Sequence, residues 1–117
     1  MKTIVAGSRE GIPTDAVMEA IDSCPWPISE IVQGGARGVD SVAADYARRT
    51  GQPFRTFPAD WNAHGKAAGP IRNRQMLEYA DALIAVWDGK SRGTAHMIGI
   101  ARARSVPIHE VIVEKQP

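Results

Sequence analysis

The sequence is short of features that mark several classes of protein. Cys24 is the single cysteine among 117 residues, which excludes an intrachain disulfide and a zinc cluster built on cysteines. The net charge is only +1, so there is no overall positive field that attracts nucleic acid. No apolar run approaches the roughly 20 residues that span a membrane, and the apolar start is too short for a signal peptide. These absences predict a soluble, cytoplasmic protein with no membrane partner.

Apolar segments and turn-forming residues alternate along the chain in a strand–helix pattern. The predicted strands are Thr3–Ala6, Glu30–Gln33, Phe54–Phe57, Ala82–Val86 and Ile108–Val113. The predicted helices are Pro13–Ser23, a helix from Val39 that ends at Gly51, Pro70–Tyr79 and Gly93–Arg104, with a polar loop over Ala59–Gly69. This alternation predicts a single α/β domain with an open, parallel, five-stranded sheet and helices on both faces.

A glycine-rich turn containing Gly34, Gly35 and Gly38 joins the second predicted strand to the second helix. Glycine lets the backbone approach a bound group closely, and the following helix directs its free N–H groups and positive dipole end toward that group. The turn is therefore suited to phosphate. A glycine-rich connection of this kind also occurs for packing alone, and the residues by themselves leave both interpretations open.

More glycines, hydroxyls and cations follow the other predicted strands at the same edge, where open parallel sheets bind ligands. The cations Arg9, Arg37, Lys66, Arg72 and Arg92 are candidates for charge-assisted contacts to phosphate. Asp40 is a candidate for contact with a ribose hydroxyl or for stabilising its own helix start. The same strands are followed by four further polar or aromatic residues whose role the sequence leaves open, namely Trp61, Trp87, His64 and His96. The predicted ligand-binding residues are Gly7, Ser8, Arg9, Gly34, Gly35, Ala36, Arg37, Gly38, Asp40, Lys66, Arg72, Asn73, Gly93 and Thr94.

Motifs spread over nearly the whole chain carry a family resemblance. They are Gly7-Ser8-Arg9, the segment from Gly34 to Asp40, the long segment from Gly65 to Met76, Ala80-Asp81 and Gly93-Thr94. With these motifs the chain resembles the small YspA-related branch of the SLOG superfamily, which also contains the DprA/Smf DNA-uptake proteins and the Lonely-guy phosphoribohydrolases. The resemblance implies a Rossmann-like fold and a nucleotide or nucleotide-derived ligand. Lonely-guy proteins assemble as dimers, which implies a homodimer here.

The similarity to Lonely-guy enzymes stops short of their catalytic group. Arg72 matches their arginine and Gly93-Thr94 their glycine-threonine pair, whereas Met97 occupies the position of the glutamate that cleaves the N-glycosidic bond. A thioether cannot act as a general base or stabilise an oxocarbenium-like charge. A hydrolase would have to combine Arg72 with a carboxylate from elsewhere, and the candidates are Asp60, Asp88 and Asp40.

Three functions are therefore weighed for this sequence. The first is a sensor or binding module for a nucleotide or a nucleotide-derived ligand. The second is a nucleotide N-glycosidase with a relocated carboxylate. The third is a single-strand binder of the DprA kind, against which the near-neutral charge argues. No cofactor is expected, and no metal site, because the three histidines lack partners at ligand spacing.

Overall fold

The computed structural model describes residues 1–114, which form an all-parallel sheet flanked by helices. The spatial order of the strands is β3-β2-β1-β4-β5. Their bounds are β1 (Lys2–Gly7), β2 (Glu30–Gln33), β3 (Phe54–Thr56), β4 (Ala82–Trp87) and β5 (Ile108–Ile112). The predicted open, parallel, five-stranded sheet is confirmed, and each predicted strand lies within two residues of its observed bounds.

The helices lie on both faces of the sheet, as the sequence predicts. Their bounds are α1 (Thr14–Asp22), α2 (Val39–Thr50), the single-turn α3 (Trp61–His64), α4 (Ala68–Tyr79) and α5 (Arg92–Ala103), with a 3₁₀ turn at Gly65–Ala67. Helix α2 ends at Gly51, whose φ of 71° is the left-handed conformation expected of a glycine stop. No helix in residues 1–114 is long and apolar enough to cross a membrane.

Two apolar layers hold the helices to the sheet. Helices α1 and α2 pack on one face against strand residues that include Val5, Ile31 and Ile84. Helices α4 and α5 pack on the other face, against residues that include Ile4 and Leu83. Neighbouring strand residues point to opposite faces, so a strand covered on both sides must be apolar throughout. All six residues of β4 are accordingly buried.

The predicted polar loop over Ala59–Gly69 is wrong for most of its length. The segment folds as α3, the 3₁₀ turn and the first residues of α4, which begins at Ala68 rather than at Pro70. The Asp60 carboxylate accepts a hydrogen bond from the Ala63 N–H at 3.0 Å and so caps α3. A four-residue helix with no buried residue has no apolar period, which is why its sequence resembles a loop.

The Ala80-Asp81 motif joins two strands at the amino edge of the sheet. The Lys2 N–H donates to the Asp81 carboxylate at 2.9 Å, and the Asp81 N–H donates to the Lys2 carbonyl at 2.8 Å. This pair of bonds aligns the start of β1 with the entry to β4. Asp81 therefore acts at the edge opposite to the predicted ligand site, and its role in the fold is structural.

Candidate functional site

A cleft of about 930 Å³ opens at the carboxyl edge of the sheet. It lies beyond the ends of β1 and β4, where the chain has crossed from one side of β1 to the other. This reversal of strand order is the usual place for a ligand in an open α/β sheet. The predicted site residues that line the cleft are Gly7, Ser8, Arg9, Ala36, Arg37, Asp40, Lys66, Arg72, Asn73, Gly93 and Thr94.

The glycine turn after β2 is held in place by Asp40. One carboxylate oxygen of Asp40 accepts the N–H of Gly34 at 3.1 Å and the N–H of Ala36 at 3.2 Å. Burial raises the pKa of this carboxyl above its ordinary value, while the Ala36 and Gly34 N–H groups and the Arg72 charge act in the opposite direction. Asp40 lines the cleft, but its two backbone bonds make it an anchor of the turn as well.

Arg72 reaches from α4 to the same turn. Its Nη1 donates to the Gly34 carbonyl at 2.8 Å, and its Nε donates to the Asn73 side-chain oxygen at 3.2 Å. Burial lowers the pKa of the guanidinium, and the nearby Asp40 carboxyl counteracts that effect. Gly34 is buried behind this side chain, and a Cβ at position 34 would overlap Arg72 and lie 2.9 Å from the Asp40 carboxylate. A Cβ at position 34 therefore has no room while Arg72 occupies its position in this structure.

Gly38 is required by a close approach of two backbone segments. Its φ is +81°, and a Cβ there would lie 2.5 Å from the Arg9 carbonyl oxygen and 2.6 Å from that of Ser8. The Ser8 carbonyl also accepts the N–H of Val39, the first residue of α2. Gly34, Gly35 and Gly38 do not line the cleft. For Gly34 and Gly38 the packing interpretation explains the glycine, and their contact with a ligand stays a prediction.

The amino end of α5 faces the cleft without a side-chain cap. Within residues 1–114, the Ser91 side chain makes no capping hydrogen bond to a backbone N–H of α5, and its hydroxyl accepts a hydrogen bond from the Thr94 hydroxyl at 3.1 Å instead. Gly93 lines the cleft, and no described atom other than those of its chain neighbours and of the α5 backbone lies within 4 Å of the position a Cβ would take. Neither backbone conformation nor packing therefore requires a glycine at position 93. The bare first turn leaves room for an anion at the positive end of the helix.

All five predicted cations line the cleft, but their surroundings differ. Arg37 forms an exposed ion pair with Glu10 at 2.5 Å, a kind of contact that stabilises little. The Arg9 guanidinium lies 5.7 Å from the centre of the half-exposed Trp61 ring. Lys66 and Arg92 are exposed, and Arg72 is partly buried. The cleft thus has a cationic rim with one cation built into its wall.

The three candidate carboxylates are all engaged with the backbone. Asp60 caps α3 and does not line the cleft. Asp88 lines the cleft, and its side chain accepts the N–H groups of Lys90 at 2.8 Å and Ser91 at 3.1 Å. Asp40 holds the glycine turn. Each carboxylate therefore already has a structural task.

The two tryptophans that follow strands have different surroundings. Trp61 lines the cleft and is 50% exposed, so its ring is available to a ligand. Trp87 ends β4 inside the core, and its indole N–H donates to the Glu110 carboxylate at 3.0 Å. Trp87 therefore covers the sheet and does not line the cleft.

Several cleft residues were not selected from the sequence. They are Ala6, Glu10, Gly69, Pro70, Met76, Lys90 and Ser91. Ser91 was recognisable as a residue that favours the position before a helix. Met76 and Met97 belong to one apolar cluster of the core and also line the cleft, a double role that periodicity does not reveal.

Together, the fold and the cleft define a Rossmann-like α/β protein. Its cleft is suited to an anion and lies at the point where the strand order reverses. The family model of the YspA, cpYpsA-related SLOG family matches residues 1–64. The chain is also similar to the Gene 61 protein of Mycobacterium phage D29, with 36% identity over 119 residues that span 92% of this chain and 93% of that protein. The chain belongs to the YspA, cpYpsA-related SLOG family. Membership of this family suggests a nucleotide-related ligand.

Proposed function

We propose that the cleft binds a nucleotide or a nucleotide-derived ligand, and that the protein acts as a sensor or binding module. The observation that carries this proposal is the uncapped first turn of α5, open at Gly93 and placed in a cleft with a cationic rim. Phosphate groups are bound by free N–H groups at helix starts and by arginine. The exposed face of Trp61 offers a stacking surface for a base.

Binding without turnover is favoured over N-glycosidic hydrolysis by the contacts of the three candidate carboxylates, of which Asp40 and Asp88 line the cleft and Asp60 does not. Position 97 holds a methionine, and Asp40, Asp60 and Asp88 each accept backbone N–H groups. A general base needs a carboxylate that reaches the reacting water or proton. The hydrolase remains the second candidate, and release of free base above background from any bound nucleotide would select it. A steep salt dependence of oligonucleotide binding would instead select a DprA-like function.

A thermal-shift panel tests the proposed function directly. It contains nucleoside mono-, di- and triphosphates, NAD, ADP-ribose and cyclic dinucleotides. A ligand at 100 times its dissociation constant adds about 2.7 kcal/mol, which raises the melting temperature by about 10 °C in a domain of this size. No shift with any member of the panel contradicts the proposal. We also propose that the protein is a homodimer, and light scattering of the same sample tests this oligomeric state.

Gly93→Ala is expected to separate ligand binding from folding. A methyl group there would enter the space at the start of α5 without touching any other described part of the protein than α5 itself and the adjacent residues. We expect no loss of stability and a loss of nucleotide affinity of about tenfold or more, because the methyl group occupies the place of the phosphate.

Gly99→Ala is the matched control for this variant. Gly99 lies in the same helix, does not line the cleft, and also has no described atom within 4 Å of its added Cβ. The control should bind nucleotide like the wild type. Equal affinity in both variants would place the ligand away from the α5 start.

A further inference from the structure

The amide of Asn73 has a single orientation that satisfies its neighbours. Its oxygen lies 3.2 Å from Arg72 Nε, which can only donate, and its nitrogen lies 3.2 Å from the Gly93 carbonyl oxygen, which can only accept. Exchanging the oxygen and nitrogen would place donor against donor and acceptor against acceptor. The amide nitrogen of Asn73 is therefore fixed toward α5.

The same amide nitrogen lies 3.2 Å from Nδ1 of His96. One of its two hydrogens serves the Gly93 carbonyl and the other points to His96. Because the amide nitrogen can only donate, a hydrogen bond between these two atoms requires Nδ1 to accept, with the imidazole neutral and its proton on Nε2. Burial, and after it the charge of Arg74, lower the pKa of His96, which favours the same neutral form.

His96 lines the cleft, and the cleft residues next to it include the uncharged Asn73 and Met97. Asn73 contacts it directly, and Met97, the next residue along α5, forms an apolar part of the wall together with Met76. Apart from Arg72, the cations of the cleft stand on its rim and at the start of α5. The cations at the rim are suited to bind a phosphate, whereas the uncharged wall is suited to bind a base or a sugar.

We propose that His96 is a specificity-determining residue whose Nε2–H donates to an uncharged acceptor on the base or the ribose, with Asn73 as the positioning residue that fixes its tautomer. This inference rests on the proposed nucleotide function. It adds that His96 recognises the base or the ribose of the ligand. The Asn73 amide holds the His96 imidazole in its neutral form. A bound ligand without an acceptor would leave the Nε2–H of His96 without a hydrogen-bond partner, and such a ligand should bind more weakly.

The binding test compares wild type, His96→Phe and His96→Gln by calorimetry. The probes are ATP, GTP, phosphoribosyl pyrophosphate and inorganic tripolyphosphate. His96→Phe should lose about tenfold in affinity for the nucleotide that binds best and nothing for tripolyphosphate, the loss expected for one hydrogen bond. His96→Gln, whose amide replaces the Nε2–H donor, should restore most of the affinity. A loss for phosphoribosyl pyrophosphate as well assigns the acceptor to the ribose, and no such loss assigns it to the base.

Other outcomes separate this inference from the function on which it rests. An equal loss for tripolyphosphate, or no loss for any probe, overturns the role of His96 and leaves nucleotide binding intact. Failure of the wild type to bind ATP, GTP or any other member of the thermal-shift panel overturns both. Nitrogen NMR of the imidazole tests the tautomer without a ligand, and a proton on Nδ1 at pH 7 overturns the inference. Asn73→Asp should move the proton to Nδ1, since a carboxylate accepts where the amide donates.

Discussion

Gly7→Ala is expected to lower the free energy of unfolding by about 3 kcal/mol, and the melting temperature by about 10 °C, the largest effect on stability that we predict. Gly7 pairs with Val86 at the carboxyl end of β1. An added Cβ would overlap the Val86 carbonyl oxygen and lie 2.7 Å from Cγ2 of Val39. Because one neighbour is backbone, no change of rotamer relieves the overlap. The strands must separate, which breaks the bond from the Ser8 N–H to the Val86 carbonyl.

Urea and thermal denaturation of Gly7→Ala and Gly99→Ala measure this effect against a matched control. Gly99 lies inside α5 with open space around its added Cβ. Alanine there should raise stability by about 0.5–1 kcal/mol, because it restricts the unfolded chain and favours the helix. Opposite signs for the two variants are the expected result. A Gly7→Ala melting temperature within about 2 °C of the wild type would contradict the close approach of β1, β4 and α2.

Arg72→Ala is expected to reduce nucleotide affinity by about 10- to 100-fold, the largest effect on binding that we predict. Two contributions act together. The variant removes the cation built into the cleft wall, and a charge-assisted hydrogen bond contributes about 1.5–3 kcal/mol. It also removes the bond from Nη1 to the Gly34 carbonyl, which holds the glycine turn to α4. We therefore expect stability to fall by about 1 kcal/mol, while the sheet and its apolar layers keep the chain folded.

Arg74→Ala is the matched control for Arg72→Ala. Arg74 lies two residues further along α4, is exposed and does not line the cleft. Its replacement should leave affinity within about twofold of the wild type, since the charge of an exposed side chain is screened by solvent and salt and the bond between Asn73 and His96 stays in place. Affinity measured by calorimetry and stability measured by melting distinguish loss of binding from loss of folding. Unchanged affinity in Arg72→Ala would contradict the assignment of the cleft.

The strands were the most predictable part of the fold. Glu30–Gln33 has the predicted bounds, and β4 differs from the predicted Ala82–Val86 by one residue. A parallel strand covered on both faces needs continuous apolar character, a signal that lies within a few neighbouring residues. Gly51 ends its helix as predicted for the same local reason. The segment that follows β3 was not predictable, because α3 buries nothing and is defined by the Asp60 cap.

The gathering of predicted residues in one cleft follows from the topology, since parallel strands place their carboxyl ends at one edge. Which residue contacts which other was beyond the sequence. Arg72 and the Gly34 carbonyl are 38 positions apart, and Asn73 and His96 are 23 apart. These contacts exist because α4 and α5 pack side by side on one face of the sheet.

By itself, the sequence determined the alternation of strands and helices, the parallel sheet, and the edge at which glycines and cations collect. The tertiary structure alone decided that Arg72 contacts the Gly34 carbonyl, that Trp87 belongs to the core, and that the Asn73 amide contacts His96. The physical reason is one of range. Hydrophobic period and turn chemistry act between near neighbours, whereas the partners of a buried polar group are set by how distant elements dock.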